Sequence, residues 1–271
     1  MRTQFIVATK SPSSTVFVFD YRKHPSVPSD LVCRPQHRCL GHDAEGYGLA
    51  WSPHTPGLLL SGSDDAALCL WDTTEAGIDL QPLQKRIGHT NVVEDVDWHK
   101  HHAHLFASVG DDARLLIWDS RNSGNQASQM VEKAHAEDVN CVSFNPFNEF
   151  MLATGGSDNV VNLWDMRNLK SKMHSFDGHQ GGVYQVCWSP FNESIIASCS
   201  SDRRVHIWDV SRVGNEQSPE DEEDGPPELL FVHGGHTAKV SDFSWNQNED
   251  WVVASVSEDN ILQVWQMVRN Q

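Results

Sequence analysis

Residues 88–119 read GHTNVVEDVDWHKHHAHLFASVGDDARLLIWD, and four of them stand at fixed distances: His89, Ser108 nineteen residues on, Asp112 at twenty-three and Trp118 at twenty-nine. The same spacing returns as His42, Ser61, Asp65 and Trp71; as His135, Thr154, Asp158 and Trp164; as His179, Ser198, Asp202 and Trp208; and as His236, Ser255, Asp259 and Trp265. Self-similarity at a fixed period marks a repeat architecture. Hydrogen-bonding chemistry explains the residue types. Imidazole donates from one ring nitrogen and accepts on the other, carboxylate accepts, hydroxyl does both and indole donates. A buried polar chain can therefore run from aspartate through histidine and hydroxyl to the indole of the same repeat. Breaking a link strands a partner at a cost of about 1 to 3 kcal/mol.

The runs 93–98, 105–108 and 115–118 are short and β-prone, separated by turn-rich sequence, and a fourth run precedes the next histidine. Four strands per repeat follow. Successive histidines lie 47, 46, 44 and 57 residues apart. The stretch from histidine to tryptophan is constant, so the variation falls between the third and fourth strands. Upstream, Thr9, Ser13 and Phe19-Asp20 keep the hydroxyl, aspartate and tryptophan offsets without the histidine or an innermost strand, and only six residues follow Trp265. The expectation is one partial copy, four full ones and a last copy of three strands.

Composition narrows the function class. A formal charge of -17 argues against direct nucleic-acid binding, which needs a basic patch, and favours capture of a basic partner. No apolar run is long enough to span a bilayer, and residues 1–10 lack the order of a secretory signal. Nucleus or cytosol is expected, with no membrane partner. The six cysteines form no metal-type pairs and read as reduced core residues, so no cofactor or metal is expected. Histidine, aspartate and serine together suggest a hydrolase, but five copies would mean five active sites and no Gly-x-Ser-x-Gly elbow surrounds the serines. A non-enzymatic reading follows. The cluster His99, His101, His102 and His104 reads as a polar turn, and no Walker-type phosphate loop is present.

The dipeptides Trp71-Asp72, Trp118-Asp119, Trp164-Asp165 and Trp208-Asp209, with Trp265-Gln266 as a lapsed copy, resemble those of WD-repeat proteins. The resemblance implies an all-β WD-repeat β-propeller, seven-bladed in the family and an incomplete ring here. It implies a single domain over 1–271: a partial blade at 1–40, then units at 41–87, 88–133, 134–177, 178–234 and 235–271. The chain would be an N-terminally shortened form whose unpaired strand edges favour self-association. In such a fold, the residues three, five and twenty-two after each histidine meet at one mouth of the channel. Here they make an acidic set with two tyrosines: Glu45, Tyr47, Glu94, Asp138, Asn140, Tyr184 and Glu258 among them. Carboxylates and aromatic faces suit a partner carrying Lys and Arg.

The long period contains Ser218-Pro219-Glu220-Asp221-Glu222-Glu223-Asp224-Gly225-Pro226-Pro227, an acidic insertion at 214–228 closed by prolines and followed by Leu229-Leu230-Phe231-Val232. Such carboxylates suit fork-shaped arginine binding. With the segment His233 to Trp245 and Ser257-Glu258-Asp259-Asn260, these residues resemble the retinoblastoma-binding histone chaperones, a family that includes the small subunit of chromatin assembly factor one. The resemblance implies a nuclear histone-binding scaffold shared among chromatin assembly, deacetylase, remodelling and Polycomb complexes, with corepressors as further partners. Asp221 and Asp224 would grip an arginine of histone four, with Phe231 and Val232 in apolar contact, and the acidic mouth would take the tail of histone three. Asp138 replaces a usual glutamate and Gly182 stands where the family has an acid. The rival reading is a substrate receptor of a cullin-four ubiquitin ligase. Trp118-Asp119-Ser120-Arg121 and Trp164-Asp165-Met166-Arg167 resemble the Trp-Asp-x-Arg box by which some WD-repeat proteins dock on the adaptor subunit of that ligase.

Overall fold

The computed structural model describes residues 5–122 and 124–267. Among these the only helical segments are three short 3-10 turns, Tyr21–Lys23, Val210–Arg212 and Asp221–Asp224. The chain falls into two compact units, Met1–Met130 and Val131–Gln271.

In the first unit, an N-terminal sheet joins Ile6–Thr9, Val16–Asp20 and His37–Cys39 in antiparallel order. Repeat sheet 1 holds Leu49–Trp51, Leu58–Gly62, Ala67–Asp72 and Gln84–Ile87; repeat sheet 2 holds Val93–Trp98, Leu105–Gly110, Leu115–Asp119 and Gln129–Val131. The N-terminal sheet gains a fourth strand that the spacing does not announce. The loop after Trp71 sends Asp79–Leu80 back alongside His37–Cys39, in parallel. Arg38 forks onto Asp79 at 2.6 and 2.8 Å, and the Arg38 and Leu40 N–H groups donate to the carbonyls of Ile78 and Leu80 at 2.6 and 2.9 Å.

The second unit contains repeat sheet 3 (Val139–Phe144, Met151–Gly156, Val160–Asp165, His174–Asp177) and repeat sheet 4 (Val183–Trp188, Ile195–Ser200, Val205–Asp209, Leu229–His233). Repeat sheet 5 has three strands, Val240–Trp245, Val252–Ser257 and Leu262–Gln266.

Successive strand residues point to opposite faces of a sheet. In repeat sheet 1, neighbours Leu59 and Leu60 are both fully buried, Leu59 against the N-terminal sheet with Val16 and Val18, Leu60 against repeat sheet 2 with Val96 and Trp98. Repeat sheet 4 is covered on both faces in the same way: Ile196 packs with Leu163 and Phe176, Ile195 with Val240 and Phe243. These two strands, Leu58–Gly62 and Ile195–Ser200, therefore carry consecutive buried apolar residues. The last strand of repeat sheet 5 alternates instead, with Leu262 and Val264 exposed.

Each turn between second and third strands is built alike. The residue after the tetrad aspartate (Ala66, Ala113, Asn159, Arg203, Asn260) takes φ between 59° and 72°. The aspartate side chain accepts the N–H two residues on, at 3.0 Å from Ala67, Arg204 and Ile261, and so closes the turn.

Candidate binding site: buried tetrads and acidic surfaces

The tetrads are complete in three repeats. His89 Nδ1 lies 2.9 Å from Asp112, its Nε2 is 2.7 Å from Ser108 Oγ, and the Trp118 indole donates to that hydroxyl at 2.8 Å. The distances are 2.8, 2.8 and 2.9 Å for Asp158, His135, Thr154 and Trp164, and 2.8, 2.7 and 2.9 Å for Asp202, His179, Ser198 and Trp208. A carboxylate only accepts, so Nδ1 carries the proton, Nε2 accepts from the hydroxyl, and the hydroxyl accepts from the indole. Each aspartate also accepts the N–H following its histidine, as from Thr90 at 2.9 Å and Gln180 at 3.0 Å.

Two repeats depart from this chain. His42 meets Asp65 at 3.2 Å and Ser61 at 2.6 Å, but the Trp71 indole donates to the Leu40 carbonyl at 3.3 Å. In the last repeat Ser255 receives Trp265 at 3.1 Å and meets His236 at 2.7 Å, whereas Asp259 lies 3.9 Å from His236 Nδ1, which is buried without a hydrogen bond. The hydroxyl and N–H of Thr237 take the Asp259 oxygen at 2.9 and 3.0 Å, in competition with the imidazole.

Burial pushes the His42 imidazole down to about 4, helped by the charge of Lys10. Burial alone would raise Asp202, yet donors from His179 and Gln180 hold it down at about 2. At His42, neutral imidazole beside carboxylate is the favoured state. Ser198 and Ser108 are fully buried with both hydrogen-bonding roles taken, so despite triad-like distances they cannot present a nucleophile.

His206 is 2% exposed and stacks on His179 with ring centroids 3.8 Å apart and planes 11° from parallel; neither of its ring nitrogens has a hydrogen-bond partner. Burial drives its pKa to about 3. His179, Asp202 and His206 lie close enough to suggest a metal site. Imidazole lone pairs lie in the ring plane, and parallel planes this far apart cannot both aim at an ion at about 2 Å.

The positions three and twenty-two residues after each histidine are tied by a backbone hydrogen bond: Asp64 to Glu45 at 2.9 Å, Asp111 to Val92 at 3.1 Å, Ser157 to Asp138 at 2.9 Å, Ser201 to Gly182 at 3.0 Å and Glu258 to Lys239 at 3.0 Å. In the first unit Glu45 and Tyr47 line a cavity of about 510 Å³ with Thr9, Lys10 and Ser11, and Tyr47 is 74% exposed. Lys10 donates to the Gly62 carbonyl, and burial lowers its pKa to about 8. Glu94 is half-buried on Val93–Trp98.

In the second unit Asp138 is exposed, while Asn140 spends its amide on Ser157 Oγ at 3.2 Å and the Val183 carbonyl at 2.8 Å. Tyr184 carries the Lys239 ammonium over its ring, 3.4 Å from the centroid, and Glu258 lies 3.7 Å from the same ammonium.

The acidic insertion is ordered. Ser218 Oγ meets Asp221 Oδ2 at 2.7 Å and accepts the Asp221 N–H at 3.2 Å, starting the turn Asp221–Asp224. Asp221 and Asp224 face a cavity of about 550 Å³ with Arg212, Pro226, Pro227 and Leu229. Gln217 donates to the Gly225 carbonyl at 3.1 Å, and buried Glu228 meets His174 Nε2 at 2.8 Å, anchoring the exit to repeat sheet 3. Phe231 and Val232 are separated: Phe231 packs near Trp265, with centroids 5.8 Å apart, and Val232 is exposed. Strand alternation sends neighbours to opposite faces.

Residues 36–164 match the family model described as the EIPR1 beta-propeller, and residues 170–209 and 227–266 match that of the WD domain, G-beta repeat. The chain is a WD-repeat protein. Its four-stranded antiparallel sheets and these matches make it an all-β propeller of WD repeats. Such propellers typically serve as non-enzymatic scaffolds that bind protein partners.

Two further features of this WD-repeat protein escape the tetrad spacing. An aromatic residue also stands nine residues after every histidine (Trp51, Trp98, Phe144, Trp188, Trp245), a signal present in the sequence. Three of these indoles donate across to the preceding sheet: Trp98 to Ala50, Trp188 to Ser143 and Trp245 to Cys187, each at 3.1 Å. The arginines of the two Trp-Asp-x-Arg boxes fold back on their own aspartates. Arg121 forks onto Asp119 at 3.0 and 2.6 Å, and Arg167 onto Asp165 at 2.9 and 2.7 Å.

Proposed function

We propose that this chain is a histone-binding scaffold of the histone chaperone type, acting in the nucleus within chromatin assembly, deacetylase, remodelling and Polycomb complexes. The supporting observation is the acidic insertion. A run of five acids would ordinarily repel itself into a solvated loop. Here it is tied at its start by the hydrogen bonds between Ser218 and Asp221, closed by Gly225-Pro226-Pro227 and anchored through Glu228, so that Asp221 and Asp224 border a cavity of about 550 Å³. Two carboxylates bordering one cavity suit the planar fork of an arginine, the chemistry expected for histone four. Glu45, Tyr47 and Glu94 in the first unit, and separately Asp138, Tyr184 and Glu258 in the second, are acidic and aromatic positions whose chemistry suits a basic tail such as that of histone three.

Asp221→Ala with Asp224→Ala should weaken capture of recombinant histones three and four by about tenfold or more, the cost of losing a charged hydrogen-bonded pair. Unchanged capture in a pull-down would remove the proposal. The cullin-four reading gains no support from geometry, since both box arginines are engaged by their own aspartates. Adaptor binding abolished by Arg167→Ala, alongside unaffected histone capture, would favour it instead.

A further inference from the structure

The Tyr184 face is not open to a partner as the chain stands. Lys239 lies half-buried against it, its ammonium 3.4 Å from the ring centroid and 3.7 Å from a Glu258 oxygen. The position is fixed by the backbone. Val183–Trp188 and Val240–Trp245 are the first strands of adjoining repeat sheets, and the Glu258 N–H donates to the Lys239 carbonyl at 3.0 Å. An aromatic face flanked by a carboxylate holds one cation at a time, since two ammonium groups at that distance repel. We propose that Lys239 is a built-in competitor for the Tyr184 and Glu258 seat, and that a partner's lysine or arginine must displace it to bind there. Lys239 then sets both affinity and selectivity: only a cation held by additional contacts outcompetes a side chain already tethered in place.

The first unit has a counterpart that the tetrads do not explain. Lys10 donates to the Gly62 carbonyl beside Glu45 and Tyr47. Its ammonium, however, sits on a carbonyl and not on the tyrosine ring, so the competition is assigned to Lys239 alone.

This inference rests on the reading of the acidic positions as a basic-peptide site, and its test separates the two. Reductive methylation of the whole chain with a ¹³C label gives each lysine an NMR signal. Lys239 should be displaced upfield by the Tyr184 ring current, and Tyr184→Leu should abolish that displacement. Titration with a synthetic histone-three tail peptide should return the Lys239 signal toward the position of an exposed lysine. Lys239→Gln should bind the peptide about threefold to tenfold more tightly, Lys239→Arg should bind like wild type, and the gain should vanish in the Tyr184→Leu background. An unshifted Lys239 signal overturns the proposal. So does equal binding by wild type and Lys239→Gln, which leaves the basic-peptide reading standing. Absence of peptide binding by both proteins overturns the two together, while histone capture through Asp221 and Asp224 would still be measured separately.

Discussion

In four of the five repeats the tetrad hydroxyl is the residue on which most of the polar chain depends, because Ser108, Thr154, Ser198 and Ser255 each satisfy both an imidazole and an indole. Ser108→Ala leaves His89 Nε2 and the Trp118 N–H buried without partners, and at about 1 to 3 kcal/mol for each group the loss should be plain in urea unfolding. Ser61→Ala should cost less, since Trp71 donates to Leu40 and only His42 is stranded. The reverse argument applies to His206, which buries two ring nitrogens for no hydrogen bond. Leu116 occupies the corresponding place, two residues before the repeat tryptophan, in the second repeat and is fully buried there. His206→Leu should therefore raise unfolding stability by about 1 kcal/mol or more. The same histidines set an acid limit. His206 and His42 titrate near 3 and 4 when folded and near 6.5 when unfolded. Between those values the unfolded chain holds more protons, so stability is full above about pH 6.5 and falls as pH drops toward 3 to 4. The aspartates add a second loss. Asp202, held near 2, contributes stability that is present above the ordinary carboxylate pKa and disappears as pH falls through 2. His206→Leu should flatten the upper part of that slope, measured as midpoint denaturant concentration against pH.

At the scale of elements, the strands owe their form to what covers them. Leu58–Gly62 in repeat sheet 1 and Ile195–Ser200 in repeat sheet 4 are covered on both faces and carry consecutive buried apolar residues, while Leu262–Gln266 has an open face with Leu262 and Val264 exposed. Apolar side chains on an open strand invite pairing with another chain. Self-association through this strand is the expected outcome, and Leu262→Lys with Val264→Glu should reduce it in sedimentation or light scattering; a monodisperse wild-type chain would overturn the expectation. The insertion at 214–228 depends in turn on Glu228, whose carboxylate is buried against His174. Glu228→Ala should release the loop exit, seen as faster amide exchange at Asp221–Asp224, with repeat sheet 4 still folded. Much of this was legible in advance, because the 93–98, 105–108 and 115–118 runs carry their own turn residues. Asp79–Leu80 was not: two residues hold no periodicity, and their place is chosen by Arg38 reaching Asp79 across forty residues of chain.

For the molecule as a whole, a charge of -17 makes salt the natural probe of partner binding. Affinity for a basic histone peptide should fall roughly tenfold between about 0.05 and 0.5 M salt, because exposed charges are screened over shorter distances. A flat dependence would mean that apolar contact dominates. The linear order of residues determined the repeat, its four-strand unit and the identity of the tetrads, since each of these rests on fixed spacing and on hydrogen-bonding capacity that a residue type carries anywhere. What only the tertiary structure decided is how each polar group spends that capacity. Trp71 turns to Leu40, Thr237 takes the Asp259 oxygen from His236, Asn140 is consumed in joining two sheets, and Lys239 covers the Tyr184 ring. Donors and acceptors bind the nearest partner in space. That partner can lie tens of residues away in sequence, so composition and spacing name the candidates and packing chooses among them.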